Sequence, residues 1–110
     1  MNIATVKYEW FWKDEHTATI TVDFSRRKVS VENLTEDIKK LPFKDNSDVT
    51  FSMFEFRISR MVAPKGSPDV NELLESMGVD KYDQYRIIEK THGRMDGNFF
   101  SIVPVERWKN

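Results

Sequence analysis

The chain has 110 residues, of which 17 are basic and 18 acidic, with 39% hydrophobic side chains and no cysteine. That length suits one domain over residues 1–110, and the apolar content is enough to offset the entropy of ordering a backbone. A formal charge of −1, divided as −2 over residues 1–55 and +1 over 56–110, excludes a strongly basic nucleic-acid binder and a heavily acidic nucleic-acid mimic. The missing cysteines exclude a disulfide framework and any thiolate metal site. No apolar run is long enough to span a bilayer, so the expectation is a cytosolic chain away from membranes.

Residues 3–12 mix β-branched and aromatic side chains, with Val6, Tyr8, Trp10 and Trp12 on one face of a strand and Lys7, Glu9 and Phe11 on the other. Lys13 to His16 form a polar turn. From Thr17 the alternation resumes, directing Ala18, Ile20, Val22 and Phe24 inward against Thr19, Thr21 and Asp23. Ser25 to Arg27 turn again, and Val29 and Val31 alternate with Ser30 and Glu32, completing an antiparallel meander.

Beyond Asn33 the pattern changes. Thr35 caps a short helix over Glu36–Leu41, which Pro42 stops. The segment from Ser47 to Val62 is ambiguous: Val49, Phe51, Met53 and then Phe54, Phe56, Ile58 fit a bulged strand, while Phe51, Phe54, Ile58 and Met61 make a helical stripe. Propensity alone slightly favours strand. Ser67, Pro68 and Asp69 read as the start of a helix whose apolar positions are Val70, Leu73, Leu74 and Met77 and whose stop is Gly78. Asp83 caps a further helix with Tyr85, Ile87 and Ile88 inward, ended by Gly93. Asp96 and Gly97 turn the chain into a last strand, Phe99 to Val103, which Pro104 places at a sheet edge or near the strand's end. The fold expected is α+β: an antiparallel sheet of three to four strands, the N-terminal meander plus a C-terminal strand, covered by three to four helices.

Catalytic carriers are absent. The two histidines, His16 and His92, have no companion at metal-ligand spacing, and there is no P-loop, G-x-S-x-G or G-x-G-x-x-G. Acid pairs such as Glu36 with Asp37, or Asp80 with Asp83, read as helix-start residues rather than as general acid and base. No enzyme activity, cofactor or metal is expected. Three groupings remain as binding candidates. Thr91, His92, Gly93 and Arg94 could hold a phosphate or carboxylate, although a helix C-terminus is its negative pole and basic residues there usually complement the dipole. Arg57, Arg60, Arg86, Lys90 and Arg94 would form a basic patch if their helices pack together; the plainer reading is a solvated face paired with Glu55 and Glu89. Trp10, Phe11 and Trp12 put large aromatics on both faces of one strand, so either Phe11 or the tryptophans remain partly exposed for a partner.

The segments KVSVENLTEDIKKLPF and FSMFEFRISRMVAPKGSPDVNELLESMGVDKYDQYRIIEKTHGRMDGNFFSI resemble a group of small, largely uncharacterised bacterial proteins associated with mobile elements and the neighbourhood of HipA-like toxin kinases. The resemblance covers roughly residues 28–102 and lands on Arg60, Pro64, Tyr82, Asp83, Ile87, Ile88, Lys90, Thr91, Gly93, Arg94 and Phe99. It departs from the pattern at Gln84, where the group has proline, and at Phe100, where it has tryptophan. It implies helix rather than strand for residues 48–61. It also implies a non-catalytic interaction or regulatory protein, a partner or antitoxin-like companion of a HipA-type kinase, with Arg60, Lys90, Thr91 and Arg94 as contact residues, to which the aromatic strand adds Trp10 and Trp12 and the basic patch adds Arg86. The alternatives are a nucleic-acid or phosphate-binding module using the Arg/Lys patch, and a phage-type inhibitor of a host defence nuclease. Oligomeric state is open, because an exposed strand edge pairs with its own copy as readily as with a partner.

Overall fold

The computed structural model describes residues 3–43, 49–62, 65–66, 68–78, 80–94 and 99–109. Four strands, β1 (Ile3–Trp12), β2 (Glu15–Asp23), β3 (Lys28–Asn33) and β4 (Phe100–Lys109), form one antiparallel sheet in the order β3-β2-β1-β4. Three helices, α1 (Phe51–Ser59), α2 (Val70–Ser76) and α3 (Gln84–Thr91), accompany it. The extents of 39 × 36 × 21 Å are those of a two-layer slab, a sheet with helices on one face.

The period-2 pattern sets the sheet's two faces. Val6, Tyr8 and Trp10 of β1, Ala18, Ile20 and Val22 of β2, and Ile102 of β4 are buried, and they meet Phe54 and Ile58 of α1 and Ile87 and Ile88 of α3 in one core. The opposite face carries Lys7, Glu9, Thr19 and Thr21, half-buried beside one another and open to water. Three irregularities adjust the register, one of them at Ala4 near the start of β1. Trp10 lies opposite Ala18 while Phe11 lies opposite His16, so Thr17 is the extra residue on β2. It turns into the interior, fully buried, and its hydroxyl donates to the Lys40 carbonyl at 2.7 Å. On β4 the extra residue is Val105, between Pro104 opposite Tyr8 and Glu106 opposite Lys7.

Pro104 therefore sits inside a ten-residue strand, longer than the Phe99–Val103 expected, and the edge position is what admits it. Ile102 N–H points away from β1 and donates to the His92 carbonyl at 2.8 Å. Two residues on, the proline ring occupies the place of the next outward N–H, where no strand would receive it.

The helical segments differ in detail from their sequence signals. Glu36–Leu41 shortens to a single 3-10 turn at Ile38–Lys40, capped by Asp37, whose carboxylate accepts from Lys39 N, while Thr35 receives only the Asp37 N–H. The ambiguous segment is α1: Thr50 Oγ1 accepts from Met53 N at 3.1 Å, and Phe51, Phe54 and Ile58 form the buried stripe. Capping and the 3.6-residue period override the β-branched and aromatic propensity there. Helix α2 begins at Val70 rather than at Pro68, with Asp69 as its N-cap; Ser67, like Pro64, Asp96 and Gly97, lies outside the described residues. Val70 and Leu74 of α2 are buried, but Leu73, expected inward, is exposed. Helix α3 matches its signal at the start, where Asp83 accepts from Tyr85 N at 2.9 Å. Its end comes one residue early, because His92 already adopts the left-handed conformation at φ 57° before Gly93 follows at 70°.

Candidate functional site

Trp10, a candidate contact residue, is a core residue instead. It is fully buried, its ring lies 5.3 Å from that of Phe100, and the Arg57 guanidinium covers it at 4.8 Å. Arg57 is tucked inward in consequence, and burial, with the charge of Arg60 behind it, lowers its pKa. Trp12 is half-buried between two ammonium groups, Lys13 at 4.6 Å and Lys40 at 4.9 Å from its ring centre. The hydrogen bond from Lys40 to Glu15, at 2.8 Å, raises the Lys40 pKa.

The remaining cations of the expected patch are not gathered by a common partner. Arg60 is exposed and its guanidinium lies 5.8 Å from the ring centre of Phe56. Arg86 pairs with Asp80 at 3.2 Å, and Lys90 is exposed in the last turn of α3. The expected acidic partners are engaged elsewhere: Glu55 with Arg27 at 3.6 Å and Glu89 with Arg107 at 2.7 Å.

At the end of α3 the backbone takes most of the polar groups. The Thr91 hydroxyl donates to the Ile87 carbonyl at 2.9 Å and accepts from Gly93 N at 3.1 Å, and the His92 carbonyl receives β4. Thr91 thus closes the helix, and of this turn only the exposed Arg94 side chain reaches a recess. That recess holds about 280 Å³ and is lined by Lys13, Asp14, Arg94, Phe99, Phe100 and Ser101. The turn of β1 into β2 shapes one wall, since Lys13 N–H donates to the Phe99 carbonyl at 2.7 Å and ties the hairpin tip to the start of β4. Lys13 and Ser101 are not among the expected site residues, and Phe99 is named only as a position on which the resemblance lands. The available signal was a two-residue hairpin turn, Lys13-Asp14, without glycine or asparagine.

A second recess of about 280 Å³ lies by α3 and the inner face of β1, with Tyr8, Phe24, Tyr85 and Arg86 in its walls and the Arg107–Glu89 pair beside them. Its carboxylates, Asp83 and Glu89, balance Arg86 and Arg107, so it offers an anion no net attraction. Burial is the main reason that the Tyr8 pKa is pushed far up, and burial likewise raises Tyr85 to about 12 and lifts Tyr82. An unfolded tyrosine ionises near pH about 10, so above that pH the unfolded chain loses phenolic protons that the fold retains. The contribution of these groups to stability is complete below pH about 10 and declines as the pH rises through 12. Urea midpoints should hold level up to pH about 10 and then fall, and the tyrosinate absorbance of the folded protein should lag behind that of the unfolded chain. Coincident titrations would contradict the burial of Tyr8 and Tyr85.

Among the described residues no three His, Cys, Asp or Glu side chains are placed to hold a metal ion, and no helix is long and apolar enough to cross a membrane. No family model, curated protein or solved structure matches the chain.

Proposed function

We propose that the protein is a small non-catalytic interaction protein that docks on a protein partner through the outer face of α1. The observation that carries this reading is Phe56, which is 64% exposed on a helix whose opposite face fills the core. Met53, one turn earlier, is exposed beside it, and Arg60 stands over the Phe56 ring. An amphipathic helix ordinarily keeps this face polar, and phenylalanine, methionine and arginine are each enriched at protein interfaces. The complementary partner face is an apolar cleft with a carboxylate at its rim for Arg60. The docking surface is thus moved from Trp10 and Trp12 to α1.

The resemblance over residues 28–102 makes a HipA-type kinase the first partner to test. Phe56→Glu should leave the melting temperature unchanged, because a surface substitution of this kind shifts stability by about 0.5 kcal/mol or less, and should abolish a micromolar complex measured by calorimetry with the purified kinase. Absence of any complex at micromolar concentration with the wild-type chain would remove the kinase reading. A Phe56→Glu chain that binds as well as wild type would remove α1 as the surface.

A further inference from the structure

We propose that the recess at the β1–β2 turn binds a phosphate monoester, with Lys13 and Arg94 as its cations and the Phe99 ring as a flat wall for the group esterified to it. Neither Lys13 nor Arg94 has a carboxylate within ion-pair distance among the described residues, in contrast to Arg27, Lys40, Arg86 and Arg107. Both backbones are fixed, Lys13 by its bond to the Phe99 carbonyl and Arg94 by a 3.1 Å bond from its N–H to the Thr91 carbonyl. The Lys13 ammonium is held over the rings of Trp12 and Phe99, at 4.6 and 5.2 Å from their centres. Ser101, 4% exposed, also lines the recess, and its hydroxyl makes no hydrogen bond to another described residue. A cation held over aromatic rings, a second cation carried on a fixed backbone and a neutral donor suit a tetrahedral oxyanion.

The backbone of Lys13 gives an independent reason. Its φ of 53° is left-handed, at the first position of a two-residue turn, where glycine is the usual occupant. Lysine in that place is a poor choice for the hairpin alone. An unfavourable conformation retained beside a recess points from the outlier to a use for the side chain. Phe99, 60% exposed, is then the stacking wall, which favours a nucleoside monophosphate over a phosphorylated sugar. Asp14 is the one carboxylate among the described lining residues and opposes the anion. This site is separate from α1 and stands whether or not the docking reading holds.

The test is calorimetric titration of the whole chain with AMP and with ribose 5-phosphate at low salt. Lys13→Gly and Arg94→Ala should each weaken AMP at least about tenfold, the loss of one charge-assisted bond. Asp14→Asn should tighten it, and ribose 5-phosphate should bind more weakly than AMP. Lys13→Gly keeps the experiment decisive, because glycine relaxes the turn and the melting temperature should be no lower. No AMP binding at millimolar concentration, or Lys13→Gly and Asp14→Asn chains that bind as wild type does, would overturn the proposal. Equal binding of the two esters would overturn the assignment of Phe99.

Discussion

Trp10→Ala should destabilise the fold by about 3–5 kcal/mol, the range for removing a large aromatic from a core, measured as a shift of the urea midpoint. Mesophilic domains total about 5–15 kcal/mol, so this one change would remove a large part of the stability. The expectation rests on position: Trp10 is fully buried on the central strand, opposite Ala18 on one side and Ile102 on the other. Its loss would also uncover Phe100 and leave the Arg57 guanidinium only the Phe100 ring, 5.1 Å away. Trp10→Phe is the informative companion. The Trp10 indole N–H is buried without a hydrogen-bond partner, so phenylalanine deletes an unpaired donor along with some packing, and its cost should be well below that of alanine. A loss under about 1 kcal/mol for Trp10→Ala would contradict core placement and restore Trp10 as a surface contact.

Gly93→Ala should cost about 2–5 kcal/mol, from two effects that can be separated: about 1–2 kcal/mol for a side chain in the left-handed region, and about 1–3 kcal/mol for overpacking. Gly93 has φ 70°, and a Cβ built there would lie 2.6 Å from Met61 Cε and 3.3 Å from Ile88 Cδ1. The methionine end is flexible, but Met61 is 1% exposed and must repack inside the core rather than swing into water. Gly78 supplies the control, with φ 72° and nothing within 4 Å of its notional Cβ. Gly78→Ala should therefore show the backbone effect alone. Equal losses at the two glycines, read from thermal or urea unfolding, would show that the Met61 contact is relieved without cost.

These experiments bear on what the residue pattern conveyed and where it failed. The meander was legible because period-2 alternation over β1, β2 and β3 is a local signal, and the start of α3 because Asp83 and the apolar pair Ile87 and Ile88 belong to one helical template. Burial on the sheet was harder. Counting aromatics on β1 left it open which of Phe11, Trp10 and Trp12 face water, since that depends on β4 and on α1, which come much later in the chain. Once both are in place, Phe100 and Arg57 enclose Trp10, and Trp12 is left at the rim with two lysines. The α1 segment misled for a related reason. Apolar residues on both sides satisfy a strand and a helix alike, and the excess apolar side is the exposed pair Met53 and Phe56. Arg94 was legible as a cation at a helix end, but its neighbour Lys13 was not, because only the pairing of β1 with β4 brings the hairpin tip to Phe99.

That pairing also sets the order in which the sheet can be completed. β1 has one neighbour, β2, that follows it after two residues, and another, β4, that follows only after all three helices. The β1–β2–β3 hairpins close small loops, whereas docking β4 must close most of the chain, and long-range pairing of this kind is slow. During synthesis the aromatic-rich stretch from Val6 to Trp12 would wait with one hydrogen-bonding edge open until β4 emerged, the interval in which a nascent chain is most prone to pair wrongly.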